Sequence, residues 1–130
     1  APPHEDIVMI GYSMIGTADL DKAKAFYSEL LAELGAKLVM DVGRAAFYGK
    51  AMGQPMLGVC LPYDKEPASV GNGSMIALAA GSRENVDKLY TKAISLGGSD
   101  EGAPGERMSG FYAGYFRDLD GHKLAFFHMG

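Results

Sequence analysis

Phenols and cations recur together at strand-like spacing in this sequence. Arg44, Tyr48 and Lys50 fall at even intervals, and Tyr115 and Arg117 repeat the pattern in the second half. On an extended chain, residues two and four apart share a face, so each set presents charge and hydroxyl on one side of a sheet. Guanidinium grips carboxylate or phosphate bidentately, and a phenol adds a polar tip to an apolar body. The chemistry such a surface offers is capture of a small anionic ligand.

The other reactive residue types offer less. Cys60 is the single cysteine and sits in an apolar strand with no basic neighbour in sequence, which reads as an inert buried thiol. His4, His122 and His128 lie near the terminus, in a turn and near the chain end, without metal-ligand spacing. Asp118 and Asp120 have a sufficient role in their own Asp-Leu-Asp-Gly turn, so an acid–base pair is the weaker reading.

The totals bound the class. With 130 residues, 48% of them hydrophobic, the chain is expected to form a single domain, 1–130, with a real core. A formal net charge of −4 and the lack of a Lys/Arg run argue against nucleic acid as partner. One cysteine allows no internal disulfide and fits a reducing cytoplasm. No apolar stretch approaches about 18 residues, so no membrane partner is expected.

The elements that must position these side chains repeat. Residues 7–16 read as a strand, Asp19 as an N-cap, and Leu20, Ala23, Phe26, Tyr27, Leu30, Leu31 and Leu34 recur at helical spacing until Gly35. Strands are expected at 37–40, 44–50 and 56–61, giving module one (7–61) the order βαβββ. After a Pro/Gly-rich connector, 62–73, the pattern restarts: a strand at 74–80, a cap at Ser82, helical spacing through Val86, Leu89, Tyr90, Ala93, Ile94 and Leu96, and a stop at Gly97 and Gly98. Module two (74–130) closes with a short strand near 99–101, a Gly/Pro loop at 102–110, a strand "FYAGYFRD", the 118–121 turn and a last strand. Setting Asp19 on Ser82 makes the halves an internal duplication. The fold class is α+β, two tandem βαβββ modules.

"IGTADLDKAKAFYSELLAELGAK" and "FYAGYFRDLDGHKLAFF", with the duplicated layout, resemble the vicinal oxygen chelate superfamily of glyoxalases, extradiol dioxygenases, bleomycin-binding proteins and fosfomycin-resistance transferases. "GRAAFYGK" and "VGNGSMIALAA" are similar, more closely, to small bacterial glyoxalase-like proteins. The resemblance implies a cup-shaped pair of half-barrels (the glyoxalase/bleomycin resistance fold), and a homodimer in which modules from two chains complete each cup. It also implies a metal held by the first and last strand of each half. Those positions match Tyr12, Leu57, Met75 and Ala125 here, where chelating members carry His, Gln or Glu. The fosfomycin-resistance turn is similar around His122, yet its metal ligand three residues later corresponds to Ala125. Borderline and hard divalent ions need imidazole or carboxylate donors. No metal and no other cofactor is therefore expected.

In that cup, the Ala45 and Phe47 side of the third strand is expected to pack on the helix, turning Arg44, Tyr48 and Lys50 to the concave face. Pairing across the 118–122 turn adds Tyr115 and Arg117 beside Lys123 and Ala125, with Tyr12, Met75 and Phe127 completing the lining. The expected function is a metal-free small-molecule binding protein for an anionic ligand. The alternative is a glyoxalase-like enzyme (lyase, isomerase or transferase), either metal-independent through Tyr12 or Tyr48 or using other metal ligands. A third reading has Met14, Met75 and Phe127 fill the cup, leaving a scaffold. Whether 102–110 closes as a lid stays open.

Overall fold

Two helices each bury one apolar stripe. The computed structural model describes residues 9–130. In α1, Leu20–Ala32, the Asp19 side chain accepts from Lys22 N at 3.1 Å, satisfying an amide the first turn cannot. Ala23, Phe26, Tyr27, Leu30 and Leu31 then line one buried stripe. In α2, Arg83–Ser95, Ser82 caps Asn85 N at 3.1 Å, and Val86, Leu89 and Ala93 form the matching stripe. Each helix is followed by a glycine with positive φ, Gly35 at 82° and Gly97 at 109°, a conformation a Cβ would strain.

Module one supplies β1 (Tyr12–Gly16), β2 (Lys37–Asp41), β3 (Ala45–Gly49) and β4 (Met56–Cys60). Module two supplies β5 (Ile76–Ala79), β6 (Ser99–Met108), β7 (Phe111–Arg117) and β8 (Lys123–Met129). The sheets run β1-β4-β3-β2 and β5-β8-β7-β6, so the duplication extends to strand order. In each, the first strand pairs in parallel with the last and the other neighbours are antiparallel. The strand expected over 7–16 is described from Tyr12, residues 1–8 lying outside the described part of the chain, as does His4.

One core joins the two helices and the helix-facing sides of both sheets, from Tyr27, Leu30 and Tyr48 to Leu89, Phe116, Leu124 and Phe126. Each such side chain contributes about 1.5–3 kcal/mol by leaving water. The seam between modules is pinned by hydrogen bonds from one turn. Tyr27 Oη donates to Asp118 Oδ2 at 2.5 Å, Ala18 N donates to Asp120 Oδ1 at 2.9 Å, and His122 Nε2 lies 2.7 Å from Gly16 O. Asp118 Oδ1 also accepts the amides of Asp120 and His122, which shapes the turn itself. The aspartates thus brace module one as well as their own turn.

Three expectations are corrected. The 102–110 segment is not a loop or lid but most of β6, the edge strand of its sheet, pairing with β7 through three register shifts. An edge that bulges this often accommodates glycine and proline, which a central strand does not. The phase of β3 is reversed: Ala46 and Tyr48 pack in the main core, while Ala45 and Phe47 form a small second cluster with Cys60 on the other face. All five β3 residues are buried, so no polar–apolar alternation marks the outer side. The β4 residue on that outer face is Gly58, which pairs with Phe47, whereas Leu57 lies in the main core.

Candidate functional site

The faces turned away from the helices are where the superfamily likeness places a site, and the two halves fill theirs differently. In module one, register sets Met14, Gly58 and Phe47 in a row across three strands. The Phe47 ring occupies the space above Gly58, where a Cβ would sit 2.8 Å from its Cε1. Tyr12 meets the same ring edge-on, with centroids 5.5 Å apart. This half-cup is floored by its own aromatic pair.

In module two the equivalent row is Ala77, Ala125 and Tyr115. Ala125 and Ala113 are buried under their larger neighbours, and Phe111 stacks on Phe127 at 5.9 Å. Charge gathers at the opposite end of β8. Lys123 pairs with Arg117 across the turn, as alternation anticipates, with no shift at Gly121. Lys123 Nζ stands 5.3 Å and Arg107 Cζ 5.2 Å from the Tyr115 ring centroid, a spacing at which a cation is drawn to the ring face. Neither belongs to an ion pair among the described residues. Arg117 does: its Nε is 2.6 Å from Glu101 Oε1 and its Nη1 donates to Gly121 O at 3.1 Å, so its head is held in place.

Arg117 and Lys123 line a cavity of about 590 Å³ whose other wall is the end of the connector, residues 70–75. A second cavity, about 250 Å³, shares Val70, Gly71, Ser74, Met75 and Lys123 with it and continues inward to Ser13, Met14, Ile15, Ile76 and His122. Of the eight residues expected to bind ligand, Met75 and Arg117 meet here. Tyr115 lies next to them through Lys123, and Phe127 sits two strand positions beyond Ala125 on the same face. Lys123, Arg107 and the 70–74 segment are gains over the sequence reading. Lys123 was legible as the face-mate of Ala125, whereas nothing in the connector's composition tells a cavity wall from a spacer.

The remaining expected residues go elsewhere. Tyr48 is turned to α1, its hydroxyl 2.9 Å from Ser28 Oγ and donating to Lys24 O at 3.1 Å, so it does not face the concave side. Lys50 lies just beyond β3 and borders, with Tyr48 and Met75, a mostly apolar groove of about 720 Å³ along β5. Arg44 precedes β3, donates to Leu61 O and lies 5.1 Å from the exposed Tyr63 ring, away from Arg117's cavity. Tyr12 borders none of the cavities under the connector and is 59% exposed.

A metal is what the superfamily likeness implies, and the donor set does not fit one. The positions the likeness implies are held by Tyr12 on β1, Gly58 on β4, Met75 just before β5 and Ala125 on β8. None offers imidazole nitrogen or carboxylate oxygen. Among the described residues no three His, Cys, Asp or Glu side chains gather at one point.

The duplicated sheets, their strand order and this cup geometry agree with a family model. The model described as Glyoxalase/Bleomycin resistance protein/Dioxygenase superfamily matches residues 9–126. The chain belongs to this superfamily. Among solved structures it is similar to a glyoxalase/bleomycin resistance protein from Albidiferax ferrireducens T118, at 34% identity and TM-score 0.87, over 95% of this chain and all of that one. It also shares its fold with a family enzyme from Burkholderia phytofirmans PsJN, at 19% identity and TM-score 0.72, over 92% of this chain and 98% of that one. TioX from Micromonospora sp. ML1 matches at 17% identity and TM-score 0.66, over 95% of this chain and all of TioX. No curated protein matches this chain. No helix among the described residues is long and apolar enough to cross a membrane.

Proposed function

We propose that this superfamily member is a metal-free small-molecule binding protein whose ligand carries an anionic group. The observation that carries the reading is the cavity lined by Lys123 and Arg117. In a chain with a formal net charge of −4, Lys123 pairs across the turn with Arg117 and stands with Arg107 over Tyr115, and among the described residues only Arg117 of the three has a carboxylate ion partner. An anion there gains charge-assisted hydrogen bonds without having to displace a carboxylate from Lys123. The donor set at Tyr12, Gly58, Met75 and Ala125 supports binding without metal. The enzyme alternative draws less support, because the Tyr48 hydroxyl is engaged with Ser28 and Lys24 on the helix side.

Pairing as a homodimer in a reducing compartment belongs to the same proposal. β1 and β5 each end a sheet with one edge unpaired, and the apolar groove runs along β5. Light scattering on the eluting protein should return twice the chain mass of 13.8 kDa.

Native mass spectrometry with elemental analysis, on protein purified without chelator or nickel, tests the main reading. We expect no stoichiometric Mn, Fe, Ni or Zn, and a complex formed with added organic acids. A stoichiometric metal, or failure of every organic acid to bind, would overturn it.

A further inference from the structure

The two cavities under the connector are chambers of one bent cleft, since Ser74, Met75 and Lys123 belong to both. They differ in chemistry. The outer chamber, about 590 Å³, holds Arg117 and Lys123 against the 70–75 segment. The inner one, about 250 Å³, is walled by Met14 and Ile15 of β1 and Ile76 of β5, with Ser13, Ser74, His122 and Lys123 as its polar lining. Arg117 stands at the outer end alone, Lys123 at the junction, and aliphatic side chains from two modules at the inner end.

Size narrows what can span them. A dry apolar cavity of about 150 Å³ takes a benzene ring, so the inner chamber has room for a single substituted ring. The ring's acid would then fall in the outer chamber, where Lys123 borders both spaces. The His122 ring is held by its Nε2 against Gly16 O, which fixes the wall of the inner chamber. A ligand seated this way touches β1 of module one and β5 and β8 of module two at once.

We propose that the cleft binds a small monocyclic aromatic carboxylate. Its ring lies at the module seam among Met14, Ile15 and Ile76, and its carboxylate lies against Lys123 and Arg117. This rests on the anion-binding reading above and adds the ring and its location. The site lies beneath the connector rather than over the Tyr12–Phe47 pair that floors the first half-cup.

Calorimetric titration of the full chain with benzoate, acetate and benzyl alcohol tests the proposal, together with methyl-resolved NMR of the unaltered protein. Benzoate is expected to bind at least about tenfold more tightly than either fragment, the worth of one charge-assisted hydrogen bond or one buried ring. It should shift the methyl signals of Met14, Ile15 and Ile76, whereas acetate should not. Lys123→Gln should weaken benzoate by about tenfold and leave benzyl alcohol unchanged.

The failures separate. Acetate binding as tightly as benzoate, with the three methyl signals unmoved, would overturn the ring and leave anion binding standing. Benzyl alcohol matching benzoate would overturn the anionic requirement itself. Benzoate that shifts Met129 instead of Met14 and Ile76 would overturn the location. No binding by any of the three would overturn this proposal, and anion binding would then stand or fall on the wider acid series.

Discussion

Phe47 lies across Gly58, so close that a β-carbon on residue 58 would come within 2.8 Å of the ring. Overpacking of this kind forces a ring off its rotamer or a strand out of line. Gly58→Ala should cost about 1–3 kcal/mol in urea unfolding. Pairing it with Phe47→Leu should recover part of that loss. A neutral Gly58→Ala would mean that the ring is not seated there.

Tyr27 and Asp118 make a buried hydrogen bond across the module seam. Tyr27→Phe leaves a carboxylate oxygen without its donor and should cost about 1–3 kcal/mol. Burial first, and then the negative charge of Asp118, push the Tyr27 phenol well above its ordinary 10.0. A raised folded pKa contributes stability that is whole below the unfolded value and lost as pH climbs past it. Stability should therefore fall above pH 10 more steeply in the native protein than in Tyr27→Phe, as read by unfolding at a series of alkaline pH values.

Ala125 is 1% exposed at the position the superfamily resemblance implies for a chelating acid. Ala125→Glu alone should not create a metal site, because Gly58, Met75 and Tyr12 add no donor of the right kind. It should instead lower stability by about 1–3 kcal/mol, the cost of forcing a larger side chain into a packed row. Thermal unfolding of this variant with and without Mn²⁺, Ni²⁺ or Zn²⁺ should show the same midpoint. A midpoint raised by metal would contradict the assignment of these positions.

Asp120 reaches back across the module seam to accept from the amide of Ala18. Asp120→Ala should cost about 1 kcal/mol. Hydrogen exchange should locate the effect at residues 17–19, with the amides of β7 and β8 unchanged.

Much of this architecture is readable along the chain because each half announces itself by local chemistry. Asp19 and Ser82 cap, Gly35 and Gly97 stop, and the apolar stripe between them has helical period. Three features escape that reading for physical reasons. β3 is buried on both faces, so Tyr48 carries no mark of which side it takes, and the answer lies in Gly58 leaving room for Phe47. β6 is an edge whose bulges tolerate residues that ordinarily end strands. The site is half legible: Arg117 and Met75 follow from alternation and repeat, while the chamber they border depends on how the connector folds over Lys123. Tertiary approach of that kind leaves no periodic trace.

The turn that aims Lys123 is also the bracket between the modules, and this shapes how the protein is made. The Tyr27 hydroxyl meets its partner 91 residues downstream, and the Ala18 amide meets Asp120 across 102. On a ribosome, which adds about 5–20 residues each second, module one waits several seconds or more for the turn that brackets it. The step that closes this bracket also brings β1 beside β5 and Lys123, so a nascent chain acquires its module seam and the cleft under the connector together.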